Sequence, residues 1–281
     1  MSNRNNQQNK QAARERLRAE RERQAKKDKT RRQLVVAGSI VVVLAIAGGI
    51  GYAVTNMTNG SKNNKVSAKA WKAASDKTDY KQPANTTGDK GTTIVIGKKD
   101  AKNTLEIFED MRCPICADFE ATTGDTILKD IKDGKYKAQF TMGAFLDDNP
   151  QIAGSGSRNA LSALGAALNV GPDVFLEYKK ALFDKKNHPQ ETDDAYSDDA
   201  KLIEIAQSVK ELKGNKDFDA AVEKGTYDKW ALAVADNFKK AKDVTGTPTF
   251  KLNGEKLTGA GGGAPGSPQE FTSLVDAVLK K

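Results

Sequence analysis

Cys113 and Cys116, the only cysteines in the chain, stand two residues apart in the stretch DMRCPICADFE, residues 110–120. That spacing bears on three kinds of chemistry. As a structural staple it is poor, because a disulfide between residues i and i+3 closes a very small loop and restrains the unfolded chain little. As a metal site it lacks partners: structural zinc takes four Cys or His ligands, and the single histidine, His188, lies far away in KKNHPQE, a polar stretch that reads as an exposed loop. No metal is expected. The third chemistry is thiol–disulfide exchange. Cys113 falls where a predicted strand gives way to a predicted helix, and unpaired N–H groups with the helix dipole favour a thiolate there. Arg112 adds a positive charge alongside. Pro114 suits the first helical position, where its missing N–H costs nothing. Cys116 lies one turn further in. Cys113 is therefore expected to be the exposed nucleophile and Cys116 the shielded resolving thiol, with exchange through a mixed disulfide.

The elements that must position this pair can be read around it. TTIVIG (92–97) and TLEIFED (104–110) are β-rich runs separated by KKDAKN, a hairpin-like polar break. Apolar Ile115, Phe119, Ile127, Leu128 and Ile131 predict a helix from Cys113, kinked near Gly124. KYKAQFTMGAF (135–145) alternates Tyr136, Ala138, Phe140 and Met142 as a third strand. A block of helices follows at about 150–243. It includes GPDVFLEYKKALFDKK, with Pro172 near its start, and SDDAKLIEIAQSVK, with Ser197 as the expected N-cap. TPTFKLNGEKL then predicts a hairpin turning at Asn253-Gly254, and a last helix runs from about Ser267 with Phe271, Leu274, Val275 and Val278 on its inner face. GAGGGA (259–264) imitates a dinucleotide-type glycine pattern. Pro265-Gly266-Ser267-Pro268 and a single helix follow it, which leaves no room for another strand–helix unit, so it reads as a flexible loop.

With these pieces in place, IFEDMRCPICADFE resembles the active-site segment of the thioredoxin superfamily, most closely its DsbA-like branch. The residues that carry the resemblance are Phe108, Asp110, Cys113-Pro114-Ile115-Cys116 and Phe119, together with VTGTPTF, whose Thr247-Pro248 resembles the cis-proline loop. The resemblance covers roughly residues 91–281. It implies an α/β thioredoxin-like fold with a helical insertion and a redox-active Cys113–Cys116 disulfide with no further cofactor. It also implies that the Thr247 backbone pairs with an extended substrate beside Pro248. Two departures matter. Ile115 stands where strongly oxidising members often carry a histidine, which implies a less depressed Cys113 pKa and a milder oxidant. Many members also carry a buried acid in the preceding strand, and counting back places Ile107 there, with Glu106 pointing to the other face.

The net charge of +8 is unevenly spread. Twelve of the 45 Lys/Arg and four of the 37 Asp/Glu fall within residues 1–33, so the remainder is neutral and gives no argument for nucleic-acid binding. LVVAGSIVVVLAIAGGIGYAV, residues 34–54, then runs without a charge and would span ~31 Å as a helix, a bilayer's hydrocarbon thickness. It exceeds the apolar length of a cleaved signal peptide, about 7–15 residues, and reads as an uncleaved transmembrane signal anchor. Its basic flank would stay in the cytoplasm as a tail. Residues 55–90 read as a flexible extracytoplasmic linker with a short helix around Trp71, and 91–281 as the folded domain. An extracytoplasmic, single-pass placement in the cell membrane favours oxidation. The expected partners are exported proteins with free thiols and a membrane or extracytoplasmic redox partner that resets the disulfide. A reductase or isomerase fed with electrons across the membrane, and a non-catalytic binding module, are the rival readings.

Overall fold

The computed structural model describes residues 68–76, 79–152 and 154–281. The predicted tail and membrane anchor, residues 1–54, lie outside them. Among the described residues no helix is long and apolar enough to cross a membrane.

Five strands form one sheet in the order β1-β3-β2-β4-β5: β1 Ile94–Ile96, β2 Thr104–Asp110, β3 Lys137–Gly143, β4 Thr249–Leu252 and β5 Glu255–Lys256. The first helix, α1, is Ala68–Asp76, and α2 is Pro114–Asp133. The β2–α2–β3 unit is a parallel crossover, and β2 pairs with β3 along its whole length from Thr104↔Lys137 to Asp110↔Gly143. Between β3 and β4 comes the helical insertion: α3 Phe145–Asp148, α4 Gly156–Val170, α5 Pro172–Phe183, α6 Asp199–Ala206, α7 Lys216–Glu223 and α8 Asp228–Lys239. The closing helix is α9, Pro268–Leu279.

Three local expectations are corrected. β1 and β2 do not form a hairpin, since β1 pairs antiparallel with β3 and β2 takes β3 and β4 as neighbours. Four successive β2 residues, Ile107 to Asp110, are buried, so the strand needs cover on both edges and both faces. Three-residue β1 cannot match its seven residues, whereas β3 can. Helix α2 also runs unbroken through Gly124. A Cβ at that position would lie 2.8 Å from the Glu120 carboxyl carbon, so the glycine makes room for that side chain rather than for a kink. The N-cap of α6 is Asp198, whose carboxylate accepts from the Ala200 N–H, while Ser197 belongs to the preceding 3-10 turn.

Other signals were realised as written. Asn253 and Gly254 both hold positive φ (52° and 83°), as a two-residue hairpin turn demands. Ser267 caps α9 by accepting from the Glu270 N–H. Tyr136, Ala138, Phe140 and Met142 are all buried. Residues read as linker join the core instead. Trp71 of α1 is buried against it, and Asn85 Nδ2 donates to the Leu168 carbonyl at 2.8 Å.

Strand parity decides what reaches the cysteines. Odd residues of β2, Leu105, Ile107 and Glu109, share one face. Ile107 and Glu109 line a cleft there with Ile127 and Ile131 of α2 and Leu176 and Lys179 of α5. Even residues face the other way: Phe108 packs edge-on against Phe238 of α8, and Asp110 accepts from Ser157 of α4.

Candidate active site

Helix α2 begins at the C-terminal end of the central strand, and Cys113 is its N-cap, with φ −74° and ψ 116°. Pro114 occupies the first turn as predicted. The Cys113 sulfur lies 3.5 Å from the carbonyl oxygen of Thr247, whose peptide bond to Pro248 is cis. The two motifs, far apart in sequence, therefore meet at one sulfur. Cys113 and Cys116 are both free thiols in this structure.

The pair is electrostatically asymmetric. The Cys113 pKa is pulled down from 9.0 to about 7, chiefly by the hydrogen bond from the Cys116 thiol. Burial opposes the fall, while Thr247 and the N–H groups of Cys116 and Ile115 assist it. By geometry the Thr247 atom on the sulfur is its carbonyl oxygen, and the hydroxyl is buried with no hydrogen-bond partner among the described residues. Cys116 moves the other way, well above 9.0, because it is fully buried and faces both the Cys113 sulfur and the Glu109 carboxylate. One thiol is prepared as a thiolate and the other is held protonated beside it. Alkylation of the reduced protein by iodoacetamide should therefore rise through pH about 7 and label Cys113 alone, which mass spectrometry of the peptides checks. A sulfur half-ionised at pH 7 carries about fifty times the thiolate of one with a pKa of 9.

Cys113 is more covered than its sequence position suggested, at 6 % exposure, because the Thr247 loop closes over it. Ile115 is the exposed member of the motif, at 62 %. It borders a groove of about 480 Å³ walled by Phe119 and Thr122 of α2, the Thr245–Thr249 loop, Leu257 and Gly262–Gly266. The glycine-rich stretch is thus one wall of this groove. The Glu270 carboxylate fastens it by accepting from the N–H groups of Ala260 and Gly266, both at 2.6 Å.

Arg112 does not sit alongside the sulfur. It is 1 % exposed, bonds Asp147 at 3.0 Å, and donates to the carbonyls of Ile152 and Glu191. An unpaired guanidinium in this position would be costly, and the insertion supplies a carboxylate and two carbonyls to its terminal nitrogens. The residue ties the redox loop to the helical insertion. Asp110 supports the same loop: it accepts from the Arg112 N–H at 3.0 Å and from the Ser157 hydroxyl at 2.6 Å, and burial raises its pKa to about 6.

Sequence reasoning missed the charged group beneath Cys116. The acid is neither Ile107 nor Glu106 but Glu109, 1 % exposed and two residues further along the inner face. Lys179 of α5 lies 3.2 Å from Glu109 and 2.8 Å from Glu120, and is itself 4 % exposed. Burial raises the Glu109 pKa, and Lys179 pulls against that rise. The signal was present in TLEIFED, where Leu105-x-Ile107-x-Glu109 places an acid on the apolar face. His188 also differs from its expected place. It is half-buried, and Nε2 lies 3.2 Å from the Met111 carbonyl oxygen.

A Cys-x-x-Cys pair at the head of the helix after a central strand, facing a cis-proline loop, defines a thioredoxin-fold dithiol protein. Residues 89–277 match the family model Thioredoxin_4, described as thioredoxin, and the chain belongs to that family. Its relatives include Disulfide bond formation protein D of Bacillus subtilis, 28% identical over 160 residues, which are 57% of this chain and 67% of that one. The serine/threonine-protein kinase PknE of Mycobacterium tuberculosis is 26% identical over 116 residues, 41% of this chain. That match spans only 20% of the kinase's length. Among solved structures, oxidised BdbD from Bacillus subtilis superposes with a TM-score of 0.55 at 23% identity, covering 72% of this chain and 100% of that one. MdbA, a thiol-disulfide oxidoreductase from Actinomyces oris, does so with 0.55 at 23% identity, covering 71% and 93%.

Proposed function

We propose that this protein is a membrane-tethered, extracytoplasmic thiol–disulfide oxidoreductase that forms disulfides in exported proteins. The observation that carries the reading is the opposed pKa values of Cys113 and Cys116 at one helix N-terminus. A substrate thiolate attacks the Cys113 sulfur of the Cys113–Cys116 disulfide. The mixed disulfide forms, and Cys116 departs as a thiolate. That thiolate is buried and takes a proton, for which Glu109, its pKa raised by burial, is the adjacent acid. A second substrate thiolate then attacks the substrate sulfur, closing the substrate disulfide and releasing the Cys113 thiolate. Two electrons pass from substrate to enzyme. They leave again through a membrane or extracytoplasmic redox partner that restores the disulfide.

The substrate segment lies along the groove beside Ile115, extended against the Thr247 main chain and Pro248. The uncharged run at residues 34–54 with its basic flank supports the tether and the outward placement of the domain.

Equilibration of the purified chain with glutathione buffers, read by thiol alkylation, tests the direction of electron flow. We expect a reduction potential less negative than about −220 mV. A value within the cytosolic range, about −220 to −320 mV, would instead favour the reductase or isomerase reading.

A further inference from the structure

The peptide between Met111 and Arg112 lies one residue before the nucleophile, in the turn that leads to it, and it is held at both ends. Its N–H, from Arg112, donates to Asp110 Oδ1 at 3.0 Å. Its carbonyl, on Met111, faces His188 Nε2 at 3.2 Å. A carbonyl only accepts, so the imidazole is in the tautomer that carries its proton on Nε2. His188 reaches this point from the loop after α5. Its ring stacks on Phe183 with centroids 5.7 Å apart and meets Tyr196 edge-on at 6.1 Å. The loop itself is pinned, since the Asn187 and His188 N–H groups both donate to the Asp184 carbonyl at 2.8 Å. It also contributes the Glu191 carbonyl that receives Arg112. The helical insertion therefore grips two consecutive residues, 111 and 112, just ahead of Cys113.

We propose that His188 is a positioning residue for the Cys113 thiolate, acting through the Met111 carbonyl. The inference rests on Cys113 being the nucleophile. The stabilising donors at that sulfur, the Ile115 and Cys116 N–H groups and the Cys116 thiol, are aligned only while Cys113 keeps its N-cap dihedrals. The chain reaches those dihedrals through a tight turn that the Cys113 N–H closes on the Asp110 carbonyl at 3.0 Å, and the Met111–Arg112 plane is the middle of that turn. Releasing one end of the plane lets it rotate, spreads the sulfur over several positions and weakens each donor.

The test compares His188→Ala, His188→Gln and Tyr196→Phe in the reduced protein, reading the pH dependence of Cys113 alkylation and the thermal melt. His188→Ala removes the donor, and should move the Cys113 titration up by about half a pH unit or more, roughly halving the thiolate at pH 7. His188→Gln can still donate to the Met111 carbonyl, and should restore most of that shift. Tyr196→Phe removes the hydroxyl that donates to the Leu182 carbonyl in the same neighbourhood without touching Met111. It should lower the melting temperature and leave the titration in place. A His188→Ala protein that melts cooperatively with an unchanged Cys113 titration would overturn the inference. So would a Gln variant no better than Ala, or a Tyr196→Phe variant shifted as far as His188→Ala. A wild-type Cys113 that never alkylates would overturn the exchange reaction itself, and with it the role of the clamp.

Discussion

Cys113→Ser is expected to abolish dithiol oxidation, while Cys116→Ser leaves a protein that accumulates mixed disulfides through Cys113. The two losses differ because the thiols do. Cys113, with its pKa near 7, can be a thiolate at neutral pH, and it lies against Thr247, whose loop walls the groove. Cys116 is fully buried with its pKa driven upward, and can act only inside the protein. Without Cys116, the Cys113 thiolate can still attack a substrate disulfide, bonding to one of its sulfurs and releasing the other as a thiolate, and no second enzyme thiol is left to displace the adduct, so it persists. Non-reducing gels of the Cys116→Ser protein mixed with a disulfide-bearing peptide substrate, followed by mass spectrometry, read this directly. Adducts that form equally on Cys113→Ser, or none on Cys116→Ser, would contradict the assignment. A non-catalytic platform would show neither the adduct nor the loss.

Lys179→Met should cost about 3–5 kcal/mol of stability, as breaking a buried ion pair does. The lysine is buried between Glu109 and Glu120, and the methionine fills most of its volume without its charge. Glu109 then keeps its burial and loses its cation. With a folded-state pKa raised above the unfolded value, it contributes stability that is complete below the unfolded pKa. That contribution is lost as pH rises through the folded pKa. The variant should therefore be closest to wild type near pH 4 and furthest from it at pH 8, as urea unfolding at both pH values will show. Adding Glu109→Gln removes one stranded carboxylate and should recover part of the loss at pH 8, a non-additivity expected of residues in contact. A pH-independent cost would mean that Glu109 does not carry the penalty.

Much of this site was legible in the residues. Cys113, Cys116 and Pro114 were placed by local rules, because a strand followed by a helix start is written within a dozen residues and needs no distant information. Thr247 and Pro248 were found through their resemblance to a known loop, and the structure brings them to the sulfur. Arg112 was misread for a physical reason. Although adjacent in sequence to Cys113, its side chain runs into the helical insertion, and the carboxylate that captures it, Asp147, belongs to a helix 35 residues away. His188 was misread because its partners are a carbonyl and two aromatic rings, and such contacts leave no pattern in a polar loop.

What the sequence by itself determined was the order of elements and the identity of the reacting pair. Hydrophobic alternation, caps and turn residues act over a few positions, and the helix start that activates Cys113 is such a feature. What only the tertiary structure decided was the environment of each thiol. The Thr247 carbonyl over Cys113, the Glu109–Lys179 pair beneath Cys116 and the insertion's grip on residues 111 and 112 join segments 35 or more residues apart. Their effects scale with burial and distance, which follow from how the sheet, α2 and the inserted helices pack together.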